Sequence, residues 1–241
     1  MVQDEIIYSA REVVKGDAHP GGYVATGGYG GIMGSMTAGP YVTFVPTRKF
    51  TWKSEVRMTV LPTQTEGVLR QDGVLKSVTV AVKDANGELI PDAIPKVAIV
   101  KGDVWYDDSN EPNPLGEKGI NGTIDMLLEK YPLSGIVAEG TAPYAGLSRS
   151  QEKALERAAL CGIPVVKVAR GDAHGLVTVN PNNLTIEGSN SIATKARLLL
   201  TAAVMKYGAL PHAADPDHPT DEELAAIRRK IDLYQAIFQT H

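Results

Sequence analysis

The chain is short of most features that would announce a specialised class. It has one cysteine, Cys161, in 241 residues. An internal disulfide is therefore impossible, and a reducing compartment, the cytoplasm, is the expectation. No apolar run approaches the length of a membrane span, and the opening M-V-Q-D-E lacks the pattern of a signal peptide. Neither charge sign dominates: 24 Lys and Arg stand against 28 Asp and Glu, a formal charge of -4. With no basic stripe and no interleaving of basic and aromatic residues, nucleic acid is not an expected partner. The Gly-rich stretch from Gly21 to Gly39 fits neither G-x-G-x-x-G between strand and helix nor G-x-x-x-x-G-K-S/T. It reads as turns and close backbone packing rather than a phosphate cradle.

What remains, at 43% hydrophobic residues, is the composition of a globular protein with one substantial core. Its organising stretch is Pro132 to Arg170. An apolar run, Gly135 to Ala138, is followed by a helix from about Arg149 to Leu160 and a second apolar run, Ile163 to Ala169. Apolar runs without alternation joined by a helix of crossover length predict parallel strands covered on both faces. Ligands of such sheets gather beyond the carboxyl ends of the strands, here Glu139 to Leu147 and Arg170 to Gly175.

Around this unit the spacing predicts a strand at Val97 to Val100, a helix from Asn121 or Gly122 to Lys130, and short strands at Leu176 to Val179 and Leu184 to Ile186. Helices follow at Ile192 to Tyr207 and after Thr220, where Glu223 completes a capping box and Leu224, Ile227, Ile231 and Leu233 to Phe238 form the buried side. Ahead of the module, period-two patterning predicts strands at Val68 to Gln71 and Leu75 to Val82, joined by Asp72-Gly73. Tyr41 to Val45 is a further short strand, and Asp4 to Val14 reads as a short helix with Ile6, Ile7, Ala10 and Val14 on one side.

Four polar residues in or beside the two loops are the candidate pocket or interface groups: Thr141, Tyr144, Asp172 and His174. A carboxylate can orient an imidazole for proton transfer, so Asp172 and His174 suit chemistry; they equally suit pocket hydrogen bonding or a surface loop. Cys161 reads as a small buried residue, with no base placed to make it a nucleophile. Asp103, Asp107 and Asp108 lack a calcium-loop template and any nearby His or Cys, and His212 and His218 are separated by prolines, so no metal and no cofactor are expected.

In order, Asp4-Glu5-Ile6, Ala10-Arg11-Glu12-Val13, Lys15, Gly30, Gly34, Pro46, Arg48-Lys49, Thr51, Pro95-Lys96-Val97, Gly135 to Thr141, Gly162 to Val166, Arg170 and Lys195-Ala196-Arg197 resemble the carboxy-terminal part of the bacterial-type L-asparaginase and glutaminase family. The resemblance implies an α/β fold with a Rossmann-like parallel sheet. It divides the chain into residues 1–54, completing an amino-terminal domain; 55–94, an inserted β-hairpin region; and 95–241, the second domain. Family members carry their nucleophilic Thr and the Thr-Asp-Lys group in G-G-T-I and H-G-T-D-T segments, which these residues do not contain. Where the family has G-x-G-N-G-N, this sequence reads Gly140-Thr141-Ala142-Pro143-Tyr144-Ala145, with Ala145 at the position of the final Asn.

The expectation from this resemblance is the small subunit of a heteromeric hydrolase of a carbon–nitrogen bond in a small amide or lactam, not active alone. A separately encoded subunit of roughly 150 to 220 residues, the scale of one domain, would bring the Thr in an α2β2 or larger assembly. The alternatives are a noncatalytic regulatory or scaffold subunit, a ring-opening or deaminating subunit of altered specificity, and a truncated chain starting at an internal Met.

Overall fold

The computed structural model describes residues 1–25, 31–42, 60–102, 114–170 and 184–241. Its centre is a parallel sheet of four strands: β9 (Lys96–Lys101), β10 (Ser134–Thr141), β11 (Val165–Arg170) and β12 (Ile186–Glu187). Their spatial order is β12-β11-β10-β9. Helices α1 (Pro114–Lys130) and α2 (Arg149–Leu160) cover one face, and α3 (Ala193–Tyr207) and α4 (Asp221–Thr240) the other. Alternation along β10 divides the core: Ile136 and Ala138 pack with Leu127, Leu128 and Leu155, while Val137 packs with Leu200, Ile237 and Phe238. This is the layering that the unbroken apolar runs imply, since each strand must satisfy two apolar faces.

The local signals that position the helices are visible. Ser148 caps α2 by accepting from the Gln151 amide at 3.3 Å. At α4, Thr220 and Glu223 form the capping box in both directions. Two details of these helices need correction. Helix α1 starts at Pro114, earlier than Asn121: proline is at home in a first turn, and Gly119 and Gly122 have open space around them. On α4, Leu233 is 45% exposed rather than part of the buried side.

The expected helix over Asp4 to Val14 is instead strand and turn. Strands β1 (Val2–Gln3) and β2 (Ile6–Tyr8) pair antiparallel around Asp4 and Glu5, whose φ angles of 49° and 61° match a type I′ hairpin turn. Strand β2 then pairs with β5 (Ile32–Ser35), which pairs with β6 (Tyr41–Val42); β3 (Val13–Lys15) pairs with β4 (Tyr23–Ala25). Only one i to i−4 bond of the expected helix survives, Val13 donating to Ser9 at 3.0 Å. The Gly-rich stretch expected to be turns thus contains strands β4 and β5, and the Thr43 to Val45 end of the predicted strand lies outside the described residues.

Strands β7 (Gln64–Gln71) and β8 (Val74–Ala81) form the hairpin predicted around Asp72-Gly73, with β7 longer at its start. It docks at the amino-terminal end of the parallel sheet. Val68 donates to the Pro132 carbonyl just before β10, and the Ala209 amide donates to Glu66 just after α3, at 3.0 and 2.7 Å. The hairpin therefore sits away from the strands' carboxyl ends. Cys161, expected to be a small buried residue, is fully buried at the end of α2, and burial pushes its thiol pKa up.

Outside the sheet, a proline-rich connection before α4 is held by His218, whose Nδ1 lies 2.9 Å from an Asp215 carboxylate oxygen. Hydrogen bonding to Asp215 raises the His218 pKa above 6.5, and the same contact lowers Asp215 below 3.8. The histidine's contribution is thus full below 6.5 and lost as pH rises through its raised value, while the carboxylate's is lost as pH falls through the lowered one. An NMR titration should give His218 a midpoint above 6.5 that falls toward 6.5 in Asp215→Asn. An unchanged midpoint in that variant would remove Asp215 as the cause.

Candidate functional site

The site is the ridge formed where β9, β10 and β11 end. Parallel register sets Glu139 opposite Lys101 and Thr141 opposite Arg170. The Lys101 ammonium lies 3.5 Å from the Glu139 carboxylate; the lysine side chain is largely exposed and the glutamate mostly covered. Gln151, in the first turn of α2, donates to the Lys101 carbonyl at 2.9 Å, and the Gly102 amide donates to the Glu139 carbonyl at 2.8 Å. Strand ends and helix start are thereby fixed to one another.

Beyond β10 the chain makes a closed loop. The Thr141 amide donates to the Gly146 carbonyl at 2.9 Å and the Gly146 amide returns a bond at 3.0 Å. The Ala142–Pro143 peptide is cis, Ala145 has φ 49° and is fully buried, and Gly140 lies directly under the Ala145 carbonyl. Thr141 is half-buried, with its hydroxyl turned back on Gly146 at 3.4 Å, whereas Tyr144 projects outward, 54% exposed. Tyr144 is the group free to reach a ligand or another chain.

Of the four residues expected here, the structure brings Thr141 and Tyr144 onto one loop; Asp172 and His174 lie outside the described residues, as do Asp103, Asp107 and Asp108. Sequence reasoning missed the Lys101–Glu139 pair, whose only signal is that each directly follows an apolar run, Val97 to Val100 and Gly135 to Ala138. Glu187 lies elsewhere, on β12, where its backbone exchanges hydrogen bonds with the Gln235 side chain at 2.8 and 3.2 Å. Among the described residues no cluster of three His, Cys, Asp or Glu is placed to hold a metal. None of the described helices is long and apolar enough to cross a membrane.

The resemblance residues away from the ridge acquire a structural role. Arg11 reaches Asn190 at 2.6 Å, Ser191 at 3.1 Å and the His241 carbonyl at 2.5 Å. Lys195 donates to the carbonyls of Ala10 at 3.2 Å, Arg11 at 2.6 Å and Val13. Arg197 donates to the Val97 carbonyl at 2.9 Å. Burial holds the Lys195 pKa below its usual value, with Glu12 opposing the shift. These residues clamp the amino-terminal strands and β9 onto α3. Lys195→Met should cost about 2 kcal/mol of that docking, because charged donors to carbonyls are replaced by a thioether. Limited proteolysis should then cut near Arg11 and Lys15 faster while helix content holds; an unaltered cleavage rate would contradict the clamp.

This α/β fold, with its loops beyond the strand ends, is similar to the crystal structure of a probable cytoplasmic L-asparaginase from Campylobacter jejuni, with a TM-score of 0.54 and 18% identity. The match covers 93% of this chain and 53% of that one, so the chain spans about half the length of the protein it resembles. No protein-family model matches the chain, and no curated protein matches it.

Proposed function

We propose that the chain is one subunit of a heteromeric hydrolase that cuts the carbon–nitrogen bond of a small amide or lactam, with the Thr nucleophile supplied by a separate polypeptide. The observation that carries this reading is the state of the amino-terminal strands. They are clamped to the α/β module by Arg11 and Lys195, yet Met1, Val2, Val24, Met36, Tyr41 and Val42 all remain exposed, Tyr41 at 69%. A sheet this poor in core, ending among the described residues in the two-residue strands β1 and β6, is suited to completion by another polypeptide. The solved asparaginase has nearly half of its length without a counterpart here, the right scale for that polypeptide.

In this reading, an activated Thr hydroxyl attacks the amide carbon and backbone donors stabilise the oxyanion, overcoming amide resonance. This chain contributes pocket wall: Tyr144 and the ridge at Lys101 and Glu139, with Thr141, Asp172 and His174 as the further polar groups. Two such pairs related by a two-fold axis would set each ridge against the other pair's pocket. The buried Ala145 methyl presents no carboxamide where the resembling family has Asn, which favours a substrate other than asparagine.

Ammonia release and ring opening should be assayed with the chain alone and with its co-purifying partner, over small linear and cyclic amides. Activity only in the complex, reduced at least tenfold by Tyr144→Ala, supports the proposal. Full activity of the chain alone refutes it, and an inactive complex favours a regulatory or scaffold subunit.

A further inference from the structure

A second polar feature lies on the hairpin side of the molecule, away from the ridge. Arg70 of β7, Arg157 of α2 and Asp217 of the loop before α4 line a cavity of about 270 Å³, with Val74, Leu75 and Pro216 as apolar wall. Both arginines address one carboxylate: Arg70 donates to an Asp125 oxygen at 2.6 Å, and Arg157 approaches the same oxygen at 3.9 Å. One oxygen cannot satisfy two guanidiniums, each of which carries five N–H groups. The Arg70 Nε, and the Arg157 terminal nitrogen that faces Asp125 at 3.9 Å, are shut off from solvent and have no acceptor within hydrogen-bond distance.

Buried donors without acceptors are uncommon in folded proteins, and an acceptor brought by a ligand is one way to satisfy them. Planar guanidiniums match a planar carboxylate, whose two oxygens accept parallel N–H bonds. Asp125 and Asp217 restrict the charge such a ligand can carry, because a dianion faces two like charges at close range.

We propose that this cavity binds a small monocarboxylate, its two oxygens shared between Arg70 and Arg157. A slight turn of each guanidinium brings its unpaired N–H groups onto the ligand, while Val74, Leu75 and Pro216 receive the apolar end. The site joins the hairpin, α2 and the loop before α4, so occupancy ties three separate segments together. The inference is independent of the hydrolase reading, because the cavity shares no residue with the ridge.

The full chain, in a low-salt buffer free of carboxylate and phosphate, should be titrated with sodium acetate while its amide NMR resonances are followed. Saturable shifts at residues 70–75 and 214–217 are expected, weakened at least tenfold by Arg157→Gln. Val74→Asp, at the exposed first position of β8 and away from the Arg70–Asp125 pair, should weaken binding similarly without disturbing the fold. Arg229→Gln, a change on the exposed side of α4, should leave the isotherm unaltered. Inorganic phosphate should bind more weakly than acetate. The proposal is overturned if no saturable shifts occur, if both cavity variants bind as the unmodified protein does, or if phosphate binds more tightly than acetate.

Discussion

Gly140→Ala is expected to lower the unfolding free energy by about 3 kcal/mol, the upper end for forcing extra volume into a packed site. A Cβ at this position overlaps the Ala145 carbonyl group and the Gly146 carbonyl oxygen, all backbone atoms held by the two Thr141–Gly146 hydrogen bonds. No side chain can swing aside, so either β10 bends or the loop detaches. If the ridge is the functional surface, activity of the assembled enzyme should fall with the loop. Gly119→Ala makes the same chemical change on a helix with open space and should instead stabilise by about 0.5 to 1 kcal/mol. Urea unfolding of both variants checks the pair, and equal effects would contradict the close approach at Gly140.

Gly208→Ala is expected to cost about 3 kcal/mol by a different route, combining backbone strain with overpacking. Gly208 ends α3 with φ 75° and ψ −175°, a conformation that residues with a Cβ rarely adopt. The added carbon also overlaps the Glu66 carbonyl and the Thr65 hydroxyl of β7. Because the next amide, Ala209, bonds Glu66, the loss should include undocking of the hairpin. Faster hydrogen exchange confined to residues 64–81 and the end of α3 is the expected signature. A destabilisation below about 1 kcal/mol, within ordinary single-site variation, would show that the hairpin is not anchored there.

The parts of this structure that could be read from the sequence are those whose causes are local or periodic. Helix α2 falls on the expected Arg149 to Leu160, because Ser148 caps it and Ala154, Leu155 and Ala158 share one face. Strand β10 was legible from Ile136-Val137-Ala138, since a strand buried on both sides needs no alternation. The amino-terminal strands were not legible. Ile6, Ala10 and Val14 satisfy a helical spacing, while the β1–β2 turn uses Asp4-Glu5 in place of the glycine-containing pairs that signal a type I′ hairpin. What decides the outcome there is pairing with β5, a strand distant in sequence. The Lys101–Glu139 pair and the Arg11–Lys195 clamp share that cause. Each depends on register or on contacts across the fold, which no local window contains.

The central claim is that this chain works as one half of a mixed assembly. Native mass measurement of the complex purified from its natural source, followed by denaturing mass measurement of its components, tests it most directly. The account predicts this chain together with a second polypeptide of roughly 150 to 220 residues, the size of one domain, in equal numbers and at least two copies of each. An assembly containing this 241-residue chain and no other polypeptide would contradict it.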